Sequence, residues 1–337
     1  WNNRLFCRNN WRNGHGRWNN SNPRINTIRK YRPQNRPKYK PTILNSNDDS
    51  SSCNTYKKEN AFLVLAKRMS RNKNAMFGLT LFVILVLAII IVPIVSPYQY
   101  DKMDVMAIKQ GPSSAHLFGT DDLGRDIFTR VFYGGRYSLS ISIAAVLFST
   151  AIGTVVGAIA GYFGGAADTV IMRLLDVIQA IPSMLLTIII SAALGVGIDK
   201  TIIAIAVGTI PGNVRLLRGT VMQTRENQYL EAAEAIGCST ARRIMKYVIP
   251  NSWSPLIVSA TMGVAKAILE LAALSYIGLG VQPPTPEWGA MLAGARGFLR
   301  DYPYMLIFPG LFIAISVLCL NMFGDGLRDA LDPKLKD

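Results

Sequence analysis

Two ionisable residues, Lys266 and Glu270, lie inside a long apolar stretch of this 337-residue chain. A spacing of four residues places both side chains on one face of a helix. Because a charge at membrane depth is costly, such residues usually face protein or water and are often paired. The pair has two interpretations: it lines or gates a transport pathway, or it is a mutually neutralised pair that holds helices together.

Residue sets that support catalysis or metal binding are not found in the sequence. The four cysteines (Cys7, Cys53, Cys238 and Cys319) show no CxxC spacing, and the two histidines are far apart. No GxxxxGK[ST] phosphate-binding loop occurs. We therefore predict no catalytic residue, no metal site and no cofactor held by this chain, which disfavours a membrane enzyme.

A polar interruption near residue 230 has the spacing of a docking element. It reads Glu231-Ala232-Ala233-Glu234-Ala235-Ile236-Gly237, and Tyr247-Val248-Ile249-Pro250 follows. The pattern predicts a helix, a positive-φ break at Gly237, a second helix and a stop at Pro250. Two small alanines leave one helix face without bulk, so a partner surface can approach closely. The residues predicted to serve this docking are Glu231, Ala232, Ala233, Gly237, Ile249 and Pro250.

A second motif, residues 118–126, precedes the second long apolar run. Apolar residues recur every four positions at Leu123, Ile127 and Val131, which predicts an amphipathic helix on the membrane surface. Thr120 or Asp121 is the expected N-cap. Asp121–Arg125 and Asp126–Arg130 are expected i,i+4 ion pairs. The polar and glycine residues that define this motif are Gly119, Asp121, Gly124, Arg125 and Asp126.

Six apolar runs approach or exceed the roughly 20 residues that cross a bilayer. They cover residues 76–95, 138–162, 169–194, 201–217, 256–279 and 305–323. Gly153, Gly157 and Gly161 recur at four-residue spacing in the second run, which predicts close helix packing. Pro182 interrupts the third run. The chain is half apolar, so we predict an all-α integral membrane protein with six transmembrane helices.

The formal net charge of +15 is concentrated before the first apolar run, where residues 1–75 carry 17 Lys and Arg against three acids. A basic flank predicts that the N-terminus stays in the cytoplasm, and six spans bring the C-terminus to the same side. Residues 213–255 carry a basic excess and are predicted to be cytoplasmic. The charge-balanced segments 98–137 and 281–303 are predicted to lie outside.

The spacing of the 231–250 loop resembles the signature loop of ABC importer membrane subunits, whose coupling helix seats in a groove of the ATPase. Tyr247 stands where isoleucine is usual. Residues 118–126, 279–289 and 324–333 are similar to motifs of the peptide/nickel group of these permeases. The chain looks most like the second permease subunit of dipeptide and oligopeptide importers, and the resemblance covers roughly residues 67–337.

This resemblance implies the binding-protein-dependent ABC permease fold, with a cytoplasmic coupling helix, in a bacterial inner membrane. It also implies a sister permease, two ATPase subunits that bind ATP and Mg²⁺, and an extracytoplasmic solute-binding protein that delivers a peptide-like substrate. Nickel, glutathione and haem stay open as alternative substrates. The rival classes are an ion-gradient-driven transporter and a membrane-anchored RNA-binding protein. The loop disfavours the first, and we expect no nucleic-acid partner.

The predicted organisation has five parts. They are a disordered, basic, Asn-rich extension (1–60), a cytoplasmic flank with the first span (61–97), an extracytoplasmic segment with an amphipathic helix (98–137), a core permease domain of five spans with the coupling loop 220–255 (138–325), and a cytoplasmic tail (326–337).

Overall fold

The computed structural model describes residues 67–331 of the chain, and within them the regular secondary structure is helical. The predicted disordered extension and residues 332–337 lie outside the described residues. The α-helices are α1 (Lys73–Val95), α2 (Ile127–Phe163), α3 (Gly165–Gln179), α4 (Ser183–Leu194), α5 (Ile198–Arg225), α6 (Gln228–Ala235), α7 (Thr240–Arg243), α8 (Trp253–Tyr276), α9 (Trp288–Ala295) and α10 (Tyr304–Leu331). Short 3₁₀ turns cover Val105–Ala107 and Arg296–Phe298.

Five helices are long and apolar enough to cross a membrane, namely α1, α2, α5, α8 and α10. Together, α3 and α4 form a sixth candidate, bent by 84° where Pro182 separates them. Each predicted apolar run therefore falls on one candidate span, and the break at Pro182 is confirmed. By contrast, Pro211 and Pro309 lie inside continuous helices.

The glycines of α2 form the contact with α5. A Cβ added at Gly157 would come within 2.8 Å of the Val214 carbonyl oxygen and 3.0 Å of the Leu217 Cβ. At Gly153 and Gly161 it would likewise strike α5. The predicted close packing is confirmed, because only a residue without a side chain lets these two backbones approach so far.

The start of α1, the end of α10 and the loop between α5 and α8 lie at one end of the helical bundle. The Asn72 side chain donates a hydrogen bond to Asp329 at 3.1 Å, which joins the start of α1 to the end of α10. Val258, near the start of α8, packs in the same apolar cluster as Leu327. This end of the bundle therefore carries both ends of the described chain.

Helix α2 starts at Ile127 and runs unbroken for 37 residues, about 55 Å. Its N-cap is Asp126, whose carboxylate accepts the Thr129 N–H at 2.8 Å. The predicted N-caps at Thr120 and Asp121 are wrong, and so is a separate amphipathic helix. The periodic apolar residues from Ile127 onward are the first turns of the second span, and they are buried.

The segment between α8 and α10 is tied to α2 through two fully buried residues. The indole N–H of Trp288 donates to the Val131 carbonyl oxygen at 2.8 Å. The Glu287 carboxylate caps α9 by accepting the Ala290 N–H at 2.9 Å, and it accepts the Ser138 hydroxyl at 3.0 Å. Burial raises the pKa of Glu287 above its ordinary value, against the effect of these hydrogen bonds.

Candidate functional site: the α5–α8 loop and a central cavity

Helix α6 contains the Glu-Ala-Ala sequence and ends in a glycine turn. Gly237 adopts a φ of +77°, as predicted. The Gly237 N–H donates to the Glu234 carbonyl at 2.9 Å, and the Cys238 N–H reaches back to the Ala233 carbonyl at 3.0 Å. This pair of bonds is the Schellman arrangement. The turn is therefore built into the backbone and does not depend on side-chain packing.

One face of α6 is buried against the ends of the spans. Leu230 is buried in a cluster with Leu217 and Val221 of α5 and Val248 of the loop. Ala233 lies on this same buried face. Of the two alanines, Ala232 is exposed and Ala233 faces the protein itself, and the docking role of the pair stays a prediction.

The remaining residues of α6 face outward. Glu231 and Ala232 are exposed, and Ile236 is 83% exposed. Two further apolar side chains of the same loop, Tyr229 and Met245, are also exposed. The outward face of α6 and the loop after it therefore present both polar and apolar side chains to the surroundings.

The second half of the loop does not stop at Pro250. Helix α7 continues through a π-helical turn, Ile244–Val248, into a short helical segment, Ile249–Asn251. In the wider turn the Ile249 N–H bonds the Ile244 carbonyl five residues back. The helical path passes through Pro250 to α8 with one turn at Ser252, so the predicted proline stop is wrong. Pro250 is exposed and Ile249 is half-buried.

An ion pair fixes the two halves of the loop to each other. The Arg243 guanidinium lies 2.6 Å from the Glu234 carboxylate and is largely buried. The same guanidinium lies over the ring of Tyr162, at the end of α2, with 5.9 Å to the centroid. The loop is consequently held against two spans, through α5 by apolar contacts and through α2 by Arg243.

A cavity of about 620 Å³ lies midway along the bundle, between α2, α4, α5 and α8. It opens beside the break at Pro182, and Pro211 of α5 is on its wall. Polar side chains contribute to the lining, and they are Ser149, Gln179, Ser183, Thr209, Asn213 and Ser259. Lys266 is the charged residue among the described residues that line it.

Lys266 and Glu270 are brought together, but in different surroundings. The Lys266 ammonium lies 3.5 Å from a Glu270 carboxylate oxygen, with side-chain exposures of 56% and 8% respectively. The ammonium also lies 3.4 Å from the Ser183 hydroxyl of α4. Lys266 therefore lines the cavity and Glu270 is buried beside it, and both interpretations of the pair stay predictions.

Two further ion pairs join α3 to α5 on the loop side of the cavity. The Asp168 carboxylate accepts a hydrogen bond from Arg218 at 2.6 Å, and Asp176 is bonded to Arg215. The contacts of these aspartates are consequently to a neighbouring helix within the chain. They hold the first half of the broken span in place.

The motif at 118–126 forms a buried polar cluster at the opposite end of the bundle. Asp121 accepts from the Arg125 side chain at 2.7 Å, so that predicted pair exists, although in a turn. Asp126 does not pair with Arg130; it bonds His116 at 3.0 Å. Gly119 and Gly124 both have positive φ and tight contacts, as a Cβ on either would strike neighbouring backbone. These residues shape the segment that leads into α2.

A comparison with protein families matches residues 153–337 to the binding-protein-dependent transport system inner membrane component family. The chain belongs to this family. A second model, the N-terminal transmembrane domain of oligopeptide transport permease C, matches residues 62–112. The chain is therefore a multi-pass membrane subunit of a transport system, and the two matches include α1, most of the spans and the α5–α8 loop.

Several curated relatives are similar over most of the chain. The dipeptide transport system permease protein DppC of Alkalihalophilus pseudofirmus is 46% identical over 80% of this chain and 89% of its own length. The glutathione transport system permease protein GsiD of Pectobacterium atrosepticum is 43% identical over 76% and 86%. The oligopeptide transport system permease protein OppC of Bacillus subtilis is 40% identical over 80% and 88%.

Some residues of this inner membrane component were missed by sequence reasoning. Leu230 and Val248 anchor the loop, Ile236 dominates its outward face, and Ser183 contacts Lys266. Leu230 lies three positions before Ala233, so a helical count along α6 would have placed both on one face. The sequence carries no comparable signal for Ser183, because its contact with Lys266 joins residues 83 positions apart.

Proposed function

We propose that this chain is the second permease subunit of an ATP-driven importer of short peptides, and that it forms half of the translocation pathway. The observation that carries the proposal is helix α6. It is a short, rigidly capped element whose inner face is anchored on the spans and whose outer face exposes Glu231, Ala232 and Ile236. This geometry suits an element that transmits movement from a cytoplasmic ATPase to the helices in the membrane.

The contacts of α6 supply a route for this coupling. Leu230 packs on Leu217 and Val221 near the end of α5, and α5 contacts α2 through glycines without intervening side chains. A displacement of α6 therefore moves α5, and α5 forms a wall of the central cavity. In this mechanism ATP and Mg²⁺ are bound by two partner ATPase subunits, and this chain holds no cofactor and has no catalytic residue.

We propose an orientation in which the end of the bundle that carries the α5–α8 loop faces the cytoplasm. The start of α1, the end of α10 and the α5–α8 loop lie together, and the excess of basic residues supports a cytoplasmic location for all three. We place the protein in a bacterial inner membrane with both termini inside. A solute-binding protein then delivers substrate to the opposite end, and a sister permease completes the pathway.

The names of the relatives favour peptides as substrate. Relatives named for dipeptide, oligopeptide and glutathione transport are all 40% or more identical to this chain. Glutathione is itself a tripeptide, so these names describe one chemical class. The cavity, at about 620 Å³, lies within the range of roughly 300–1,000 Å³ for small-molecule sites.

Uptake of labelled dipeptide in a strain with the gene deleted and restored tests the proposal. We expect uptake to require this chain, to stop when ATP is depleted, and to survive dissipation of the ion gradient at constant ATP. Loss of uptake on gradient dissipation at constant ATP would favour the ion-driven transporter instead. Equal uptake with and without the chain would refute a role in peptide import.

A further inference from the structure

The central cavity presents a positive charge. Lys266 exposes more than half of its side chain there, whereas Glu270 is buried and exposes 8%. The Glu270 carboxylate oxygens accept no hydrogen bond from the described residues and have the ammonium, at 3.5 Å, as their ionic partner. The negative charge thus lies behind the lysine, and the positive charge faces the space in which a solute would pass.

The start of α4 adds to this positive region. Its N-cap is Pro182, which provides no side-chain hydrogen bond, so the N–H groups of the first turn have no side-chain cap. The Lys266 ammonium lies 3.4 Å from the hydroxyl of Ser183, the first residue of the helix. A cation beside the positive end of a helix is unfavourable by itself, and an anion at that point is attracted by both.

We propose that the central cavity binds a carboxylate of the peptide in transit, held by the Lys266 ammonium and the Ser183 hydroxyl at the start of α4. The inference rests on the proposed function and adds a charge preference to it. The carboxylate comes either from the C-terminus of the peptide or from an acidic side chain. A basic side chain is disfavoured at this depth, because it meets the ammonium with Glu270 set back behind it.

Competition with a built-in carboxylate tests the site without breaking the Lys266–Glu270 pair. Ser183→Asp places an anion beside the ammonium at the first turn of a helix, where an acid is well tolerated. Ser183→Asn is the neutral control of the same size. Uptake of alanyl-glutamate, alanyl-alanine and alanyl-lysine is measured through the importer with its native partner subunits, so selection by the binding protein is common to all variants.

We expect Ser183→Asp to lower uptake of alanyl-glutamate relative to alanyl-lysine by about tenfold, as for a charge contact partly removed from water. Ser183→Asn should leave the ratio within about twofold of wild type, since no charge is added. A fall confined to alanyl-glutamate identifies the side chain as the source of the carboxylate. A fall shared by all three peptides with Ser183→Asp but absent with Ser183→Asn identifies the C-terminus, which all three carry.

A second pair of variants tests the lysine itself. Lys266→Gln combined with Glu270→Gln removes the cation without leaving a bare buried acid, and Lys266→Arg keeps the charge. The double variant should lose the preference for alanyl-glutamate, and the arginine variant should keep it. If no peptide changes, or if Ser183→Asn lowers uptake of all three as much as Ser183→Asp does, the carboxylate site is refuted. That result leaves peptide import intact, whereas absence of chain-dependent uptake in wild type would refute the proposed function.

Discussion

Substitutions at Gly237 separate the backbone turn of the α5–α8 loop from every other property of that loop. Gly237 has a φ of +77°, and no heavy atom lies within 4 Å of a Cβ added there. Any effect of a new side chain therefore comes from backbone conformation and not from a clash within the chain. Asparagine tolerates this conformation, alanine is disfavoured and valine is a clear outlier.

The expected magnitude follows from the left-handed backbone. An ordinary L-residue loses about 1–2 kcal/mol at such a φ, which lowers the ratio of the native turn to alternatives roughly 5–30-fold. Gly237→Ala should show this loss, Gly237→Val should exceed it, and Gly237→Asn should show little. The buried anchors of α6 are untouched, so insertion into the membrane should be the same for all three variants.

Retention of the ATPase subunits after detergent extraction, together with peptide uptake, measures the result. We expect both to decline in the order glycine, asparagine, alanine, valine. Normal ATPase retention and uptake with valine would refute the reasoning that the Schellman turn presents α6 to a partner. Equal damage by asparagine and valine would refute the assignment of the effect to φ.

Three further predictions address packing, burial and orientation. Gly157→Ala should destabilise the detergent-solubilised protein by about 1–3 kcal/mol, because its Cβ meets α5 backbone, whereas Gly219→Ala has open space and should be neutral or slightly stabilising in the same thermal melt. Burial raises the pKa of Glu287 in the fold, so its contribution to stability is present below its ordinary pKa and is lost as the pH rises through the raised value. Glu287→Gln should therefore gain in melting temperature relative to wild type as the pH rises from 4 to 8, and a pH-independent difference would contradict this. In a cysteine-free background, a cysteine at Asp199 should react with an impermeant thiol reagent from outside and one at Gln223 should not; the reverse pattern would overturn the topology.

The spans were predictable from the sequence because they depend on local composition. Each apolar run forms a candidate span, and the glycine spacing of α2 correctly indicates the close contact with α5. The turn at Gly237 was predictable for a similar reason, since a glycine after a short helical pattern carries its own backbone preference. None of these features requires knowledge of distant residues.

The predictions of the α2 N-cap and of the stop at Pro250 were wrong because the local sequence does not determine the hydrogen bonds at these two places. Helix α2 starts at Ile127 because the carboxylate of its N-cap, Asp126, is fixed by His116 and Thr129, and the local pattern around Thr120 does not reveal these contacts. Pro250 stays within a helical path because it stands in the first turn of the short segment Ile249–Asn251, where a missing N–H costs no helical hydrogen bond. The surroundings of Lys266 depended on the fold, which brings Ser183 and the break at Pro182 to it.

Photocrosslinking from α6 tests most directly whether the outward face of this helix docks an ATPase. A photoreactive phenylalanine analogue at Ile236, which is 83% exposed, is activated in the assembled importer, and one at Thr285 serves as the control at the opposite end of the bundle. We predict a crosslink from Ile236 to an ATPase subunit and none to it from Thr285. An ATPase crosslink from Thr285, or none from Ile236 in an importer that still transports peptide, would contradict this account.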